Sequence, residues 1–505
     1  MQLPIFTARN EQVQVLDSPA QFYQTLKQKI SSAQQRIFLA SLYVGKEEIE
    51  LIEHIRAALQ SRRALRLTVL ADALRSTRES SPNPSSASLL ASLARDFPNQ
   101  VDVRLYHTPS LKGLTKRLVG KRFNEGWGLQ HMKIYGFDDD VIVSGANLSR
   151  DYFTNRKDRY VVFVQQQQIA NYLHSLVLLA ARFSYHLAST ESPASSEKAT
   201  AYAGFRLEWD GGDRLLLGED ADGTISEGGT LGPSSSNRLP EQGWSSTAQA
   251  AVEDFTRRWH QHTLETLSLS SGEDADVYLV PLLQMGPLRI RQETAAIPQI
   301  FHLAASASNL EGKPATVDLT SGYFSLYRPY KALLSAPCKG DVQERTRIIC
   351  AAPESNGFFK SKGVSGWIPD GYTWFEKKFW DALKRSGRLW NGDDAKGGVE
   401  MSEWKKQGWT YHAKGIWYTP PHSATPTLFH VGSSNYGSRS SDLDLECTFL
   451  ISMNSSSPLS HRVKAEVEGL RADAKERVNE DLFNRPDRKV RWRVRFAAWL
   501  VGGML

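Results

Sequence analysis

The sequence predicts an α/β protein built from two similar halves, each a mixed sheet flanked by helices. Three observations carry that expectation. Runs of β-branched and aromatic residues alternate with segments of helical period, the pattern of sheets covered by helices. The same order of signals occurs twice along the 505-residue chain. Between the two sets lies a Ser/Gly/acidic stretch with little to bury. The chain is too long for one small core, and 41% hydrophobic with 23% charged residues is a soluble, folded composition.

The elements follow in order. "DSPAQFYQTLKQKI" offers Ser18 as N-cap and Pro19 at the first helical position, with Phe22, Leu26 and Ile30 four apart on one face. "RIFLASLYV" and "LRLTVLADALR" read as buried strands, separated from "DVRLYH" by the loop "STRESSPNPSSAS". "VIVSGAN" and "RYVVFV" close the first half. In the second half "TVDLTSGYF", "RTRIICAAP", "TLFHVGSSN" and "LECTFLI" repeat the rhythm, and "YTWFEKKFWDALKR" is its clearest helix. The expected divisions are residues 1–188 and 243–487 for the halves, with a flexible insert at 189–242 and a basic, aromatic tail at 488–505. A short hairpin is expected near "FRLEWDGGDRLLL" in the insert.

The formal charge of +6, from 61 basic and 55 acidic side chains, suits an anionic substrate or an acidic surface. Three cysteines without C-x-x-C spacing argue against a disulfide framework and for a reducing compartment. No apolar run approaches the roughly 20 residues that span a bilayer. Met1 to Gln12 reads neither as a transit peptide nor as an apolar signal core.

The chemistry lies in a duplicated pattern. "QHMKIYGFDDD" places His131 two residues before Lys133, and "YHAKGIWYTPP" places His412 two before Lys414. After each comes a strand and a small-residue turn ending in an amide: Ser144, Gly145 and Asn147, then Gly432, Ser433 and Asn435. One set is a weak signal; two in matching halves are a strong one. Displacement at a phosphodiester needs a nucleophile, an acid for the leaving group and donors for the phosphoryl oxygens. One imidazole can attack phosphorus to give a phosphohistidine, and the other can protonate the leaving group. Lys133, Lys414, Asn147 and Asn435 would hold the oxygens, so no metal or cofactor is required.

These features resemble the phospholipase D superfamily, whose two H-x-K-x4-D motifs meet at a pseudo-twofold axis. Within it the chain is most similar to the eukaryotic phosphatidylglycerophosphate synthases. The stretches "AQFYQTLKQKI", "RIFLASLYVGKEE", "LADALRSTRE", "KRFNEGWGLQHMKIYGFDDDVIVSGANLS", "CAAPESNGFFKSKGVSGWIPDGYTWFE", "YHAKGIWY" and "GSSNYGSRSSDLDLE" carry the similarity over both halves. The resemblance implies transfer of a phosphatidyl group from CDP-diacylglycerol to glycerol 3-phosphate with release of CMP, on the way to phosphatidylglycerol and cardiolipin. It also implies a peripheral enzyme on the matrix side of the mitochondrial inner membrane, with no nucleic-acid partner. The oligomeric state stays open, a homodimer included. His131 is the favoured nucleophile, because the superfamily usually uses its first motif. Asp138 completes the first motif, but Thr419 stands where the second would have Asp. Asp158 and Glu446 are the acidic candidates for orienting the imidazoles, as comparable residues do in the superfamily.

Substrate-binding candidates surround these motifs. Lys112, Lys116, Arg117, Lys121 and Arg122 form a basic loop just before His131, and Arg75 and Arg78 follow a strand end where α/β sheets bind ligands. Asn356, Lys360 and Lys362 share a glycine-containing loop fit to cradle phosphate, with Phe358 and Phe359 available to acyl chains. Ser433 and Tyr323 complete the set. The tail "RKVRWRVRFAAWLVGGML" alternates basic and apolar residues, which fits a strand or extended girdle anchoring the protein to anionic headgroups. The rival reading keeps the scaffold and makes water the acceptor, giving a phospholipase D-type hydrolase. Metal-dependent CDP-alcohol transferases need a D-G-x-x-A-R motif within transmembrane helices, and this chain has neither.

Overall fold

The computed structural model describes residues 2–79, 83–111, 124–191, 201–210, 244–269, 275–337, 340 and 342–501. The first half contributes β1 (Val13–Leu16), β2 (Arg36–Ala40), β3 (Arg66–Asp72), β4 (Val101–Tyr106), β5 (Ile134–Phe137), β6 (Asp140–Ser144), β7 (Tyr160–Phe163) and β8 (Tyr185–Ser189). They assemble in the order β8-β4-β3-β2-β5-β6-β7-β1. The second half contributes β9 (Val277–Met285), β10 (Thr316–Ser321), β11 (Arg345–Ala351), β12 (Gly398–Trp404), β13 (Lys414–Thr419), β14 (Leu428–Gly432), β15 (Leu445–Met453) and β16 (Glu476–Arg477). Their order, β16-β12-β11-β10-β13-β14-β15-β9, repeats the first position by position. In each sheet the β2–β3–β4 or β10–β11–β12 trio is parallel and the remaining pairings are antiparallel.

Local sequence explains the elements. The Ser18 hydroxyl accepts the Gln21 amide to start helix Pro19–Ser32, which buries Phe22, Leu26 and Ile30. The central parallel strands β2 and β3 are largely apolar and buried on both faces, whereas β4, β10 and β12 bury paired charges such as Asp102 with Arg104 and Asp318 with Arg347. One apolar cluster belongs to the first half and one to the second. A third draws from both sheets, with Phe163 and Phe449 meeting at 5.0 Å between ring centroids. That shared core locks the halves together.

Two expectations change, at Phe6–Ala8 and in the tail. Phe6–Ala8 pairs antiparallel with β9 and so extends the second sheet, which means residues 1–188 do not close on themselves. Phe205–Glu208 pairs with β8, and the Leu-rich run of the expected hairpin lies outside the described residues. The tail forms a helix, Trp492–Val501, not a strand. Its alternating charges face water, while Val494 and Ala498, one helical turn apart, are buried. The tail also starts inside the body: Arg488 is buried and pairs with Glu403 at 2.6 Å. Among the described residues no helix is long and apolar enough to cross a membrane.

Candidate active site

Both His-x-Lys segments enter their sheets at equivalent places, just before β5 and at the start of β13. Each is held there by backbone pairing with the opposite half. Gln130 bridges to Leu445 in parallel, and the His131 amide donates to the Leu445 carbonyl at 2.9 Å. Thr410–Tyr411 pairs in parallel with Arg156–Lys157, and the His412 amide donates to the Lys157 carbonyl at 2.8 Å. The reciprocity is what a pseudo-twofold axis produces.

Side chains follow the same exchange. Nδ1 of His131 lies 2.8 Å from Oε1 of Glu446, and Nδ1 of His412 lies 2.6 Å from Oδ2 of Asp158. Each imidazole is therefore oriented by the carboxylate of the other half, leaving Nε2 to face the cleft. Lys133 donates to the His131 carbonyl at 2.7 Å, and the Lys414 ammonium sits 2.5 Å from Nδ1 of His412 and 3.5 Å from Asp158. Gly145 makes room for that lysine: a Cβ there would lie 2.5 Å from Lys414 Cδ. Ser433, in the matching turn, donates to Glu446 instead.

Burial sets the electrostatics. It pushes both imidazoles well below their ordinary pKa, and the adjacent lysine of each motif adds to the effect, so both rest neutral. Burial also lowers Lys133 to about 7 and Lys414 to about 8. Burial raises Glu446, whereas for Asp158 the upward pull of burial is outweighed by Lys414 and His412 and the carboxyl ends low. The turn of the first motif reaches the second directly: Gly145 backs onto Lys414, and Asn147 donates to Tyr152, whose hydroxyl lies 3.4 Å from Nε2 of His412.

Asn147 and Asn435 are carried into this centre by the matching turns. Each keeps its side-chain oxygen buried with no hydrogen-bond partner among the described residues. Such unsatisfied groups are costly and mark a place for a ligand. Tyr323 meets the His412 ring edge-on at 5.2 Å. Arg75 stacks on Tyr43 at 4.2 Å, and Arg78 is half-buried on the same segment. Lys360 and Lys362 are exposed, whereas Asn356 is buried and its side-chain oxygen accepts the Phe358 amide, shaping the loop. Lys112, Lys116, Arg117, Lys121 and Arg122 lie outside the described residues.

Asp138 is the correction. It sits in the β5–β6 turn with φ 51°, at the far end of β5 from His131. Its carboxylate accepts the backbone amides of Gln34, Gln35 and Arg36 at 2.7 to 2.9 Å, so it ties a turn to β2 and takes no part in the cleft. The sequence reading also passed over Tyr152, whose hydroxyl lies 3.4 Å from Nε2 of His412 and accepts from Asn147 at 3.2 Å. It passed over two ion pairs flanking the centre, Asp151–Arg156 and Arg439–Asp444, each 3.0 Å long. His131, Asp444 and Glu446 bring ligand atoms within 4.8 Å of one another, the one such grouping among the described residues. All three are already committed: Glu446 to His131 and Ser433, Asp444 to Arg439 and the Leu129 amide.

No family model matches the chain. Curated relatives do. A Schizosaccharomyces pombe protein named CDP-diacylglycerol–glycerol-3-phosphate 3-phosphatidyltransferase is 36% identical over 94% of this chain and 91% of its own length. The Saccharomyces cerevisiae protein of that name is 35% identical over 99% of this chain and 89% of itself. The Homo sapiens protein, whose name adds "mitochondrial", is 32% identical over 99% and 84% respectively. In fold, the phosphatidylserine synthase of Haemophilus influenzae Rd KW20 aligns with a TM-score of 0.63 at 17% identity, covering 100% of this chain and 97% of that one.

Proposed function

Since the chain belongs to the CDP-diacylglycerol–glycerol-3-phosphate 3-phosphatidyltransferase family, we propose that it performs the reaction of that name through a covalent phosphohistidine on His131. The observation that carries this reading is the crossed pairing of His131 with Glu446 and His412 with Asp158. One neutral imidazole to attack phosphorus and a second, equally oriented one to carry a proton are what a two-step displacement at phosphorus needs. Nε2 of His131 has no partner among the described residues, whereas Nε2 of His412 faces a tyrosyl hydroxyl, which favours His131 as nucleophile.

In the first step Nε2 of His131 forms a bond to the lipid-linked phosphorus of CDP-diacylglycerol as the bond to the CMP oxygen breaks. On binding, the donor's diphosphate supplies the negative charge that raises His412 from its low resting value, so its Nε2 takes up a proton from solvent and passes it to the departing CMP oxygen. In the second step the glycerol 3-phosphate hydroxyl gives its proton to His412, and its oxygen displaces His131 from phosphorus. The product is phosphatidylglycerophosphate; His131 is free again, and His412 returns its proton to solvent as the products leave. Lys133, Lys414, Asn147 and Asn435 balance the charge on the equatorial oxygens. The test is CMP release with and without glycerol 3-phosphate, together with alkaline quenching of enzyme mixed with phosphorus-labelled donor. Label on His131 that glycerol 3-phosphate discharges supports the reading. Equal CMP release without acceptor points to the hydrolase instead.

The lipid donor must be reached at a membrane surface; the word "mitochondrial" in the vertebrate relatives' names supports a mitochondrial one, which we propose is the matrix side of the inner membrane. Phe358 and Phe359 are exposed beside Lys360 and Lys362, and Phe358 lies 6.0 Å from Tyr323 of the active centre. Trp492 and Phe496 are exposed on the terminal helix among Arg491, Arg493 and Arg495. That helix packs on the start of helix Ile368–Arg385 through Arg491–Asp370 and Arg495–Trp374, next to Tyr372, which stacks on Tyr323. Aromatics ringed by cations match an anionic interface, each engaged cation being worth about 1 kcal/mol. Trp492→Ala with Phe496→Ala should reduce flotation with anionic liposomes and spare turnover in detergent; undiminished flotation would remove the tail helix from the docking face.

A further inference from the structure

The pseudo-twofold relation superimposes two ion pairs whose charges are reversed. Arg156 stands two residues before Asp158, and Asp444 stands two before Glu446. Their partners, Asp151 and Arg439, each lie five residues earlier on the matching short helices. On the His131 side the pair is spent on structure. Asp444 accepts the Leu129 amide through one oxygen and Arg439 through the other, and it is fully buried.

On the His412 side the cation replaces the acid and faces the cleft. The Arg156 guanidinium lies 4.7 Å from the centre of the Tyr152 ring, whose hydroxyl touches Nε2 of His412. Its Nε donates to Thr410, while its partner Asp151 is 62% exposed, a pair worth little in water and easily given up. A Cβ on Gly357 would fall 2.9 Å from Arg156 Nη2 and 3.1 Å from the Tyr323 hydroxyl. The guanidinium and that hydroxyl therefore approach the glycine backbone too closely to admit even one added carbon, and the three converge beside His412. Lys360 and Lys362 follow on the same loop; burial raises the pKa of both Tyr152 and Tyr323, and Tyr43, related to Tyr323 by the axis, adds to it.

We infer that this convergence of donors is the subsite for the acceptor's own phosphate, a phosphomonoester dianion gripped by Arg156 and tyrosyl hydroxyls. The inference rests on the proposed function, in which the acceptor hydroxyl gives its proton to His412. The acceptor's far end then lies beyond that imidazole, one ring's breadth away, where Arg156 is. A guanidinium fork suits phosphate, and a hydrolase using water has no use for it there. CMP, the other phosphomonoester on this side, reacts through its own phosphate oxygen and so sits against His412 itself, short of Arg156.

Steady-state kinetics of the full chain test this with Arg156→Gln and Arg156→Lys. Arg156→Gln should raise KM for glycerol 3-phosphate at least tenfold, with CMP release in the absence of acceptor, and glycerol as a weak phosphate-free acceptor, unchanged. Arg156→Lys should recover part of the loss. Gly357→Ala, whose methyl would press on Arg156 Nη2 and the Tyr323 hydroxyl from a half-buried loop, should reproduce the KM shift even if Arg156→Gln fails to fold. An unchanged KM for glycerol 3-phosphate in the folded variants would overturn the inference. So would a parallel fall in acceptor-independent CMP release, or a rise confined to the inhibition constant of CMP. Failure of the proposed function itself is separable, since it appears in the unaltered enzyme as CMP release indifferent to glycerol 3-phosphate.

Discussion

The two halves share one strand order and one set of crossed backbone contacts, yet beneath their asparagine turns they are built differently. In the first half Phe22 stacks on Tyr160 at 4.6 Å, and Tyr160 lies opposite Ser144. In the second, Thr448 lies opposite Gly432, and the packing helix offers Glu293 to the same region. Glu293 accepts from Ser434 at 2.7 Å and lies 3.7 Å from His430, whose other ring nitrogen meets the Tyr436 hydroxyl at 2.7 Å. Around the imidazoles the difference continues: Ser433 against Gly145, Asp444 against Arg156. Under the proposed two-step displacement the duplication has a reason, since two equivalent strands present two histidines to one phosphorus. The divergence of the side chains then follows from the proposed roles, one histidine bonding to phosphorus and the other only moving protons.

Replacing a histidine should break that division most severely. His131→Ala or His412→Ala should cost at least about 10²–10⁴-fold in turnover, the range of a general acid–base group. The sharper result is qualitative. His412→Ala should still accept label, slowly, from a donor with a better leaving group, whereas His131→Ala should never be labelled. Labelling of His412 in the His131 variant would reverse the assignment.

The crossed carboxylates come next. Asp158→Asn disables the histidine of the second half, and Glu446→Gln that of the first, although each leaves its own half's motif intact. A wrong tautomer in an Asp–His pair costs up to about 10⁴-fold. Asp158→Asn should be the worse of the two, because Asp158 also faces Lys414. With chemically accelerated donors, Glu446→Gln should slow labelling and Asp158→Asn should not. Identical profiles would mean the pairs act as one unit.

How far the sequence foretold this centre depends on the range of the interaction. The His-x-Lys pairs, the turns to Asn147 and Asn435 and the strand rhythm are local, so they were legible. Asp158 and Glu446 were legible as acids, but not which imidazole each serves, because that exchange exists only once the halves have met. Asp138 completed a motif by spacing, while its real partners are backbone amides on another strand. The charge-reversed spacing of Asp151 to Arg156 and Arg439 to Asp444 was available and unread, since five residues match no helical face. In the tail, period-two charge obscured Val494 and Ala498, whose four-residue spacing chose the helix.

A smaller effect should appear in the pH profile. Lys133 and Lys414, held near 7 and 8 by burial, serve phosphate only while protonated. The sign follows: kcat/KM should fall as pH rises through that range, with no acid limb from the imidazoles, which rest neutral. Lys133→Arg cannot lose its charge, so it should flatten the earlier part of the fall at a lower overall rate. A profile flat to pH 9 in the unaltered enzyme would remove the lysines from the anion site.

The least effect on turnover, and the most direct probe of the difference between the halves, belongs to Glu293. Burial raises its pKa to about 8, while that of His430 beside it is lowered to about 3, so both are neutral at pH 7. Folded protein holds the Glu293 proton up to about pH 8, whereas the unfolded chain releases it near the ordinary value of 4.5. Between those limits the native state binds more protons, so this group's contribution to stability is lost as pH rises, by at most about 1.4 kcal/mol per pH unit. Glu293→Gln keeps an acceptor for Ser434 and cannot ionise. The variant should gain on the parent in urea unfolding midpoint from pH 5 to pH 8, the gap widening with pH. Phe22, at the related place, carries no proton, so Phe22→Leu should shift the midpoint equally at both pH values. A constant gap for Glu293→Gln would mean that the carboxyl titrates alike in both states and that the second half's polar network is no costlier at high pH than the first half's stacked rings.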